Sequence, residues 1–301
     1  MNKVIRSPLF YVGDKYKLIK EIKPKFPTKI ERFIEAFCGG GSVFLNVSAN
    51  EFLLNDIDKN VFMLHNFLIE HSKNPNNFFK EIEKIIYKYN LSRSYKEDIV
   101  PYELKLKYKK NYYAKFNKNS FEKLKNDFNS QQKLNLYELY VLLIYGFNRM
   151  IRFNSFGKYN IPVGNVDFNN NVVVALNNYF EKVKREKIKW HNLDYSVFIE
   201  KVKPNENDFL YFDPPYLISF SEYNKLWDEK SEKKFIELLD DLNKQKIRFA
   251  CSNILNYKGR ENKIFSNWSK NYNVITIRSN YISYHDNSIK SIKEVLVTNY
   301  E

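Results

Sequence analysis

Cysteine and histidine are scarce in this 301-residue chain, which has two cysteines, Cys38 and Cys251, and four histidines, His65, His71, His191 and His285. They form no Cys-x-x-Cys or His-x-x-x-His pairing, which argues against a structural zinc site, and no metal is expected. Two cysteines make no disulfide framework, which fits a reducing cytosol, and both read as small buried residues. The opening residues Met1-Asn2-Lys3-Val4-Ile5-Arg6 lack the apolar core of a signal peptide. The longest apolar stretch, 139–147, is too short to cross a bilayer. No internal repeat is apparent, and no G-x-x-x-x-G-K-S/T phosphate loop occurs. These absences leave a soluble protein with no membrane partner, expected in the cytoplasm.

Acidic residues are the other deficit. They number 35 against 49 lysines and arginines, a formal charge of +14, which points toward a polyanionic partner. The excess is concentrated between Lys84 and Lys118, where ten basic residues face three acidic ones, a net +7. Tyrosines are interleaved there, a mixture suited to phosphate contacts or, alternatively, to a solvated helix face. Hydrophobic residues make up 44% and aromatics 17%, enough for a globular chain with a sizeable core.

Strands and helices alternate at both ends of the chain. A strand at Arg32-Phe33-Ile34-Glu35-Ala36-Phe37 leads through Cys38-Gly39-Gly40-Gly41-Ser42 into a helical stretch expected from Val43 to about Ala49. A second strand, Phe52-Leu53-Leu54-Asn55-Asp56, ends on a carboxylate. Further strands are expected at 188–190, 209–212, 247–251, 274–277 and 295–298, with a helix over 232–244 burying Phe235, Leu238, Leu239 and Leu242. Between these ends the text turns helical, and 151–164 reads as a hairpin turning at Ser155-Phe156-Gly157. The pattern predicts an α/β fold with a parallel sheet. One domain combines 1–61 with 172–301, and an inserted, mainly helical domain spans 62–171.

Two places carry chemistry. The tetrapeptide Asp213-Pro214-Pro215-Tyr216 follows the apolar run Phe209-Leu210-Tyr211-Phe212. Two prolines stiffen the turn and surrender backbone N–H groups that a continuing strand needs. The turn can offer a carboxylate, a backbone carbonyl and a flat ring to one planar ligand, such as a nucleobase amine, or it can simply end a strand. The glycine loop lies between strand and helix, where doubly wound folds bind nucleotides. Gly39-x-Gly41-x-x runs into Phe44 rather than a third glycine, so Phe37-x-Gly39-x-Gly41 fits a cofactor without a pyrophosphate. Asp56 is placed to accept from ribose hydroxyls.

In this order the segments resemble the DNA adenine-N6 methyltransferases of the bacterial DNA adenine methylase group, the D12 class. The resemblance rests on Ser7-Pro8-Leu9-Phe10-Tyr11-Val12-Gly13-Asp14-Lys15-Tyr16, on Phe33 through Asn46, on Asn55-Asp56-Ile57, on the hairpin 151–164 and on Asp213-Pro214-Pro215-Tyr216. The ending Glu294-Val295-Leu296-Val297-Thr298-Asn299-Tyr300 is similar too. Tyr11 stands where many members carry Trp, and Asp14 where they carry Gly or Ser. The resemblance implies a Rossmann-like S-adenosylmethionine-dependent sheet with an inserted DNA-recognition domain, and transfer of a methyl group to N6 of a flipped-out adenine in double-stranded DNA. It implies cofactor contacts from Tyr11, Lys15, Glu35, Phe37, Gly39, Gly41, Asp56, Asp194 and Asp213. Catalysis is implied for Asp213, Pro214, Pro215 and Tyr216, with the Asp213 carboxylate and Pro214 carbonyl accepting the two N6–H groups and Tyr216 stacking on the base.

DNA contacts are implied for Asn148, Arg149, Met150 and Arg152, with Arg152 reading guanine. A lid is expected over 219–228, with Tyr223 and Trp227; core packing is the other role for Trp227. Asp194 is either a cofactor contact or a helix cap. A cognate restriction endonuclease acting on the same site is an implied partner. Cytosine-N4 or RNA amino-group methylation, and an inert DNA-binding subunit, remain the alternative functions.

Overall fold

The computed structural model describes residues 4–97, 99–219, 227–277 and 292–301. Eight strands among these form one sheet: β1 (Arg32–Glu35), β2 (Glu51–Asn55), β3 (Ile188–His191), β4 (Phe209–Phe212), β5 (Arg248–Tyr257), β6 (Arg260–Glu261), β7 (Asn273–Ile277) and β8 (Lys293–Thr298). Their order is β3-β2-β1-β4-β5-β8-β7, with β6 hairpinned onto β5. The run from β3 to β5 is parallel, and β8 inserts antiparallel between β5 and β7. This is the Rossmann-like sheet expected from the sequence.

Parallel strands are buried on both faces and so read as unbroken apolar runs. In β4, Phe209 and Tyr211 join one core while Leu210 and Phe212 join the other. The second core is covered by α8 (Tyr195–Val202), α9 (Glu229–Lys244) and α10 (Lys263–Ser269). The first meets α1 (Ile19–Ile22), α2 (Lys59–His71), α3 (Pro75–Lys88), α5 (Tyr112–Ser130), α6 (Leu136–Tyr145) and α7 (Asn170–Val183). A short helix α4 (Tyr102–Tyr108) precedes α5 and buries none of its residues.

Helix α6 explains the long apolar run. Residues 138–145 are all buried, as expected of a helix that is apolar all round. It packs against α2, α3 and α5. Asn135 caps it by accepting from the Tyr137 and Glu138 N–H groups. The inserted helices and the sheet thereby share one connected core. Among the described residues, no helix is long and apolar enough to cross a membrane.

Two expectations of local structure change. The stretch from Val43 to Ala49 is not a helix; it holds a single 3-10 turn at Phe44–Asn46. Val47 is already extended, with ψ of +155°, and the Asn46 side chain is tied to Ile5 N, Ile5 O and Ser42 O. The chain must also extend at once to enter β2. The segment 151–164 folds back as expected, yet without a regular ladder: Phe153 bridges Tyr159 and Val163 bridges Gly146. Backbone bonds from Asn154 N to Lys158 O and from Asn160 N to Arg152 O join the arms, and side chains add to them, with Asn154 Oδ1 accepting from Phe156 N and Lys158 N and Asn129 bonding both backbone groups of Tyr159.

Candidate active site

Register places the two chemical motifs side by side. In the parallel pairing of β1 with β4, Glu35 stands opposite Tyr211. Two residues further along each chain lie Phe37, at the mouth of the glycine loop, and Asp213. The order reverses between these strands, and ligands of open α/β sheets bind at the carboxyl ends beside such a switch point.

The N-terminal segment closes the site. Lys15 Nζ donates to Asp213 Oδ2 at 2.6 Å, with the Lys15 side chain 3% exposed. The Tyr216 hydroxyl donates to Asp213 Oδ1 at 2.7 Å, and Lys15 Nζ sits 5.1 Å from the Tyr216 ring centre. A carboxylate has about four acceptor directions, so these two bonds orient Asp213 and leave capacity for an incoming N–H. Pro214 is buried beside it, while Pro215 and Tyr216 are half-buried. Asp14, whose role the sequence left open, accepts from Tyr16 N and holds the turn that carries Lys15. Burial pushes its carboxyl upward, against the pull of that N–H.

The glycine loop is compressed against its neighbours. Gly39 and Gly41 have φ of +49° and +78°, a left-handed region costly for other residues. A Cβ at Gly41 would fall 2.4 Å from the Phe44 ring, and one at Gly40 2.7 Å from Tyr11 Cβ. Tyr11 thus lies directly over the loop. Asp56 follows β2 and accepts from Gly39 N at 2.7 Å and Asp58 N at 2.9 Å. Burial raises its pKa to about 6, with both N–H groups opposing the rise. Glu35 is buried, and its Oε2 has no hydrogen-bond partner among the described residues. Burial first, and the Asp213 charge second, push this carboxyl well above the usual range.

Phe37 forms an aromatic box with Tyr195, Trp227 and Phe235 at ring distances of 5.1, 5.9 and 5.8 Å. Trp227 Nε1 donates to the buried Glu232 Oε2. That contact gives Trp227 a packing role, while residues 220–226 of the expected lid lie outside the described residues. Asp194 caps α8, accepting from Ser196 N and Ser196 Oγ. It is exposed, and the neighbouring Tyr195 turns into the box.

The candidate DNA-contacting residues lie on a separate stretch joined to this site through Phe10. The Arg149 guanidinium lies 3.7 Å from the Phe10 ring centre, and burial lowers its pKa to about 10. Phe10, Asn148 and Arg149 all adopt positive φ near 50°, strain of the kind that collects at functional sites. Met150 is half-buried against the core. Arg152 Nε donates to Asn160 Oδ1 across the hairpin at 2.9 Å. Phe156 at its tip is 85% exposed.

A profile of the D12 class N6 adenine-specific DNA methyltransferases matches residues 11–282. The chain belongs to this family. It is 32% identical to the type II methyltransferase M.FokI of Planomicrobium okeanokoites over 308 residues, 99% of this chain and 43% of that protein. It is also 32% identical to the modification methylase StsI of Streptococcus sanguinis over 311 residues, all of this chain and 44% of that one. The DNA adenine methylase of Escherichia coli K12 is 26% identical over 212 residues, 70% of the chain and 65% of that enzyme. This D12-class chain therefore spans less than half the length of the first two relatives.

Two residues were given no role of their own by the sequence. Asn55, buried at the end of β2, donates to Ala36 O and Leu193 O and accepts from Leu193 N, stitching three loops together. His65 sits under the glycine loop, with Nε2 2.9 Å from Gly39 O. The only sequence signal for His65 was its place in the buried stripe of α2 with Val61, Leu64 and Leu68. A histidine there reads equally well as ordinary core.

Proposed function

We propose that this chain transfers the methyl group of S-adenosylmethionine to N6 of an adenine flipped out of double-stranded DNA, at a specific site. The observation that carries the reading is the β1–β4 register, which sets the glycine loop beside an Asp213 carboxylate already oriented by Lys15 and Tyr216. The residues fit the cofactor. The orphaned Glu35 Oε2 is a buried acceptor suited to the amino group of its methionine tail, and Asp56 retains acceptor capacity for ribose hydroxyls. Tyr11 and the Phe37 box offer aromatic surface for the adenine moiety. When bound, the cofactor supplies an electrophilic methyl group on a sulfonium.

The protein's part is positioning and hydrogen bonding. The lone pair of an adenine amine is delocalised into the ring, so the amine is a poor nucleophile. The Asp213 carboxylate and Pro214 carbonyl each accept one N6–H, which turns the nitrogen toward tetrahedral geometry and localises its lone pair. Holding the amine there supplies the proximity contribution. Extruding the base costs a few kcal/mol of unstacking.

The insert, 62–171, is the target-recognition part of this reading. Arg152 on the hairpin contacts a guanine, with Asn148, Arg149 and Met150 near the extruded base. The turn after α4 brings exposed Lys107, Lys109, Lys110 and Lys115 together; Lys107 and Lys115 both approach the Tyr108 ring. Asn165, one residue past the hairpin, bonds Lys110 O and Ala114 N. That tether supports a DNA backbone track running from the hairpin to the lysines. The names of two relatives, a type II methyltransferase and a modification methylase, support pairing with a restriction endonuclease of the same site in the bacterial cytoplasm.

Incubating the chain with methyl-labelled cofactor and duplex DNA, then digesting to nucleosides for mass spectrometry, tests the reading. N6-methyldeoxyadenosine is the expected product. N4-methyldeoxycytidine, or binding of DNA and cofactor without transfer, would overturn it.

A further inference from the structure

His65 is completely buried in α2, yet both ring nitrogens are engaged. Nε2 lies 2.9 Å from Gly39 O and Nδ1 lies 3.0 Å from the Tyr179 hydroxyl on α7. The ring stacks on Trp190 at 4.2 Å and 18°. A carbonyl oxygen can only accept, so Nε2 carries the proton. Burial lowers the pKa of the ring to about 4, so at neutral pH it is uncharged and Nδ1 accepts from the tyrosine.

Gly39 is thereby held on both sides of its Cα. His65 fixes the peptide plane after it, through the carbonyl, and Asp56 fixes the plane before it, through the N–H at 2.7 Å. A glycine at φ +49° has wide conformational freedom. Without both anchors the loop would sample other turns and Asp56 would lose a donor that orients it.

We propose that His65 is a positioning residue of the cofactor site, acting through Gly39, with Tyr179 and Trp190 setting the plane and proton of its ring. The inference rests on the reading of this loop as the S-adenosylmethionine site. His65 is fully buried and bonded to the Gly39 carbonyl, so it acts by preorganising the loop backbone.

The test is cofactor binding by calorimetry in the full chain, without DNA, on wild type, His65→Phe, His65→Gln and Tyr179→Phe. Phenylalanine keeps the stack and removes both hydrogen bonds, and should weaken S-adenosylmethionine binding about tenfold, the scale of one to two net hydrogen bonds. Glutamine restores a donor toward Gly39 and should return affinity to within about threefold of wild type, while Tyr179→Phe should lose about threefold. KM for the cofactor should follow Kd, with kcat at saturation little changed. Nitrogen-detected NMR of the wild type should find the His65 proton on Nε2.

Equal affinity in His65→Phe and wild type would overturn the proposal, as would glutamine and phenylalanine variants equally impaired, or a proton on Nδ1. If His65→Phe does not fold, Tyr179→Phe and the wild-type proton assignment decide it. A wild type that binds no S-adenosylmethionine would instead sink the cofactor reading beneath it.

Discussion

Lys15 and Asp213, 198 positions apart in sequence, form a 2.6 Å ion pair between the N-terminal segment and the Asp213-Pro214-Pro215-Tyr216 turn. The pair joins the segment that covers the glycine loop to the carboxylate that would receive the substrate amine. Its geometry gives the lysine of that segment a role at Asp213 as well as beside the loop.

Removing Lys15 leaves a mostly buried carboxylate uncompensated, a loss of ~3–5 kcal/mol for pairs of this kind. Lys15→Ala should therefore unfold at lower denaturant than the Lys15→Ala/Asp213→Ala double variant. A double variant less stable than the single one would contradict a direct pair.

Asp213→Ala should lower kcat by about 10²–10³, the scale for one preorganised group aimed at developing charge. Single-turnover methylation measures this directly. A loss confined to KM would assign Asp213 to binding alone.

Cofactor affinity should fall as pH drops through about 6, where burial sets the Asp56 pKa. The ionised form accepts from ribose, and protonation removes an acceptor. The sign for stability is opposite. Between its unfolded value near 3.8 and about 6 the folded protein holds a proton that the unfolded chain has released. Stability from this group thus declines as pH rises through that window and stays low above it. Asp56→Asn, which removes the titrating group and one of the two acceptor oxygens, should weaken cofactor binding and flatten its pH profile.

Gly41→Ala meets a fully buried Phe44 ring at 2.4 Å and an unfavourable φ. Overpacking alone costs ~1–3 kcal/mol. Chemical denaturation should register that loss, and calorimetry should find cofactor binding abolished.

Arg152→Ala should relax preference at one base pair by ~1–3 kcal/mol. Replacing Lys107, Lys109, Lys110 and Lys115 by glutamine should instead weaken binding evenly across sequences. It should also reduce the salt slope of log K by about 0.9 for each phosphate no longer neutralised. Profiling methylation on a randomised site library, at several salt concentrations, separates the two effects.

The strongly patterned segments were legible in the chain: the apolar run of β4, the glycine loop, the acidic end of β2 and the buried face of helix α9. Each rests on local constraints, where burial on both sheet faces demands an apolar run and a left-handed turn demands glycine. Local pattern misjudged Val43 to Ala49, because the Asn46 side chain spends its hydrogen bonds on Ile5, which is distant in sequence. It also overestimated the regularity of 151–164, where a few backbone bonds between the arms are supplemented by Asn129 from helix α5.

Residue types and spacing by themselves located the two motifs, a carboxylate before two prolines and a glycine turn after a strand, and their order along the chain carried the family resemblance. Only the tertiary structure decided how those groups are oriented. The Lys15 ion pair with Asp213 and the His65 bond to Gly39 each join segments separated in sequence. Such contacts depend on distance and direction in space, which strand register and helix packing set and which no local periodicity encodes.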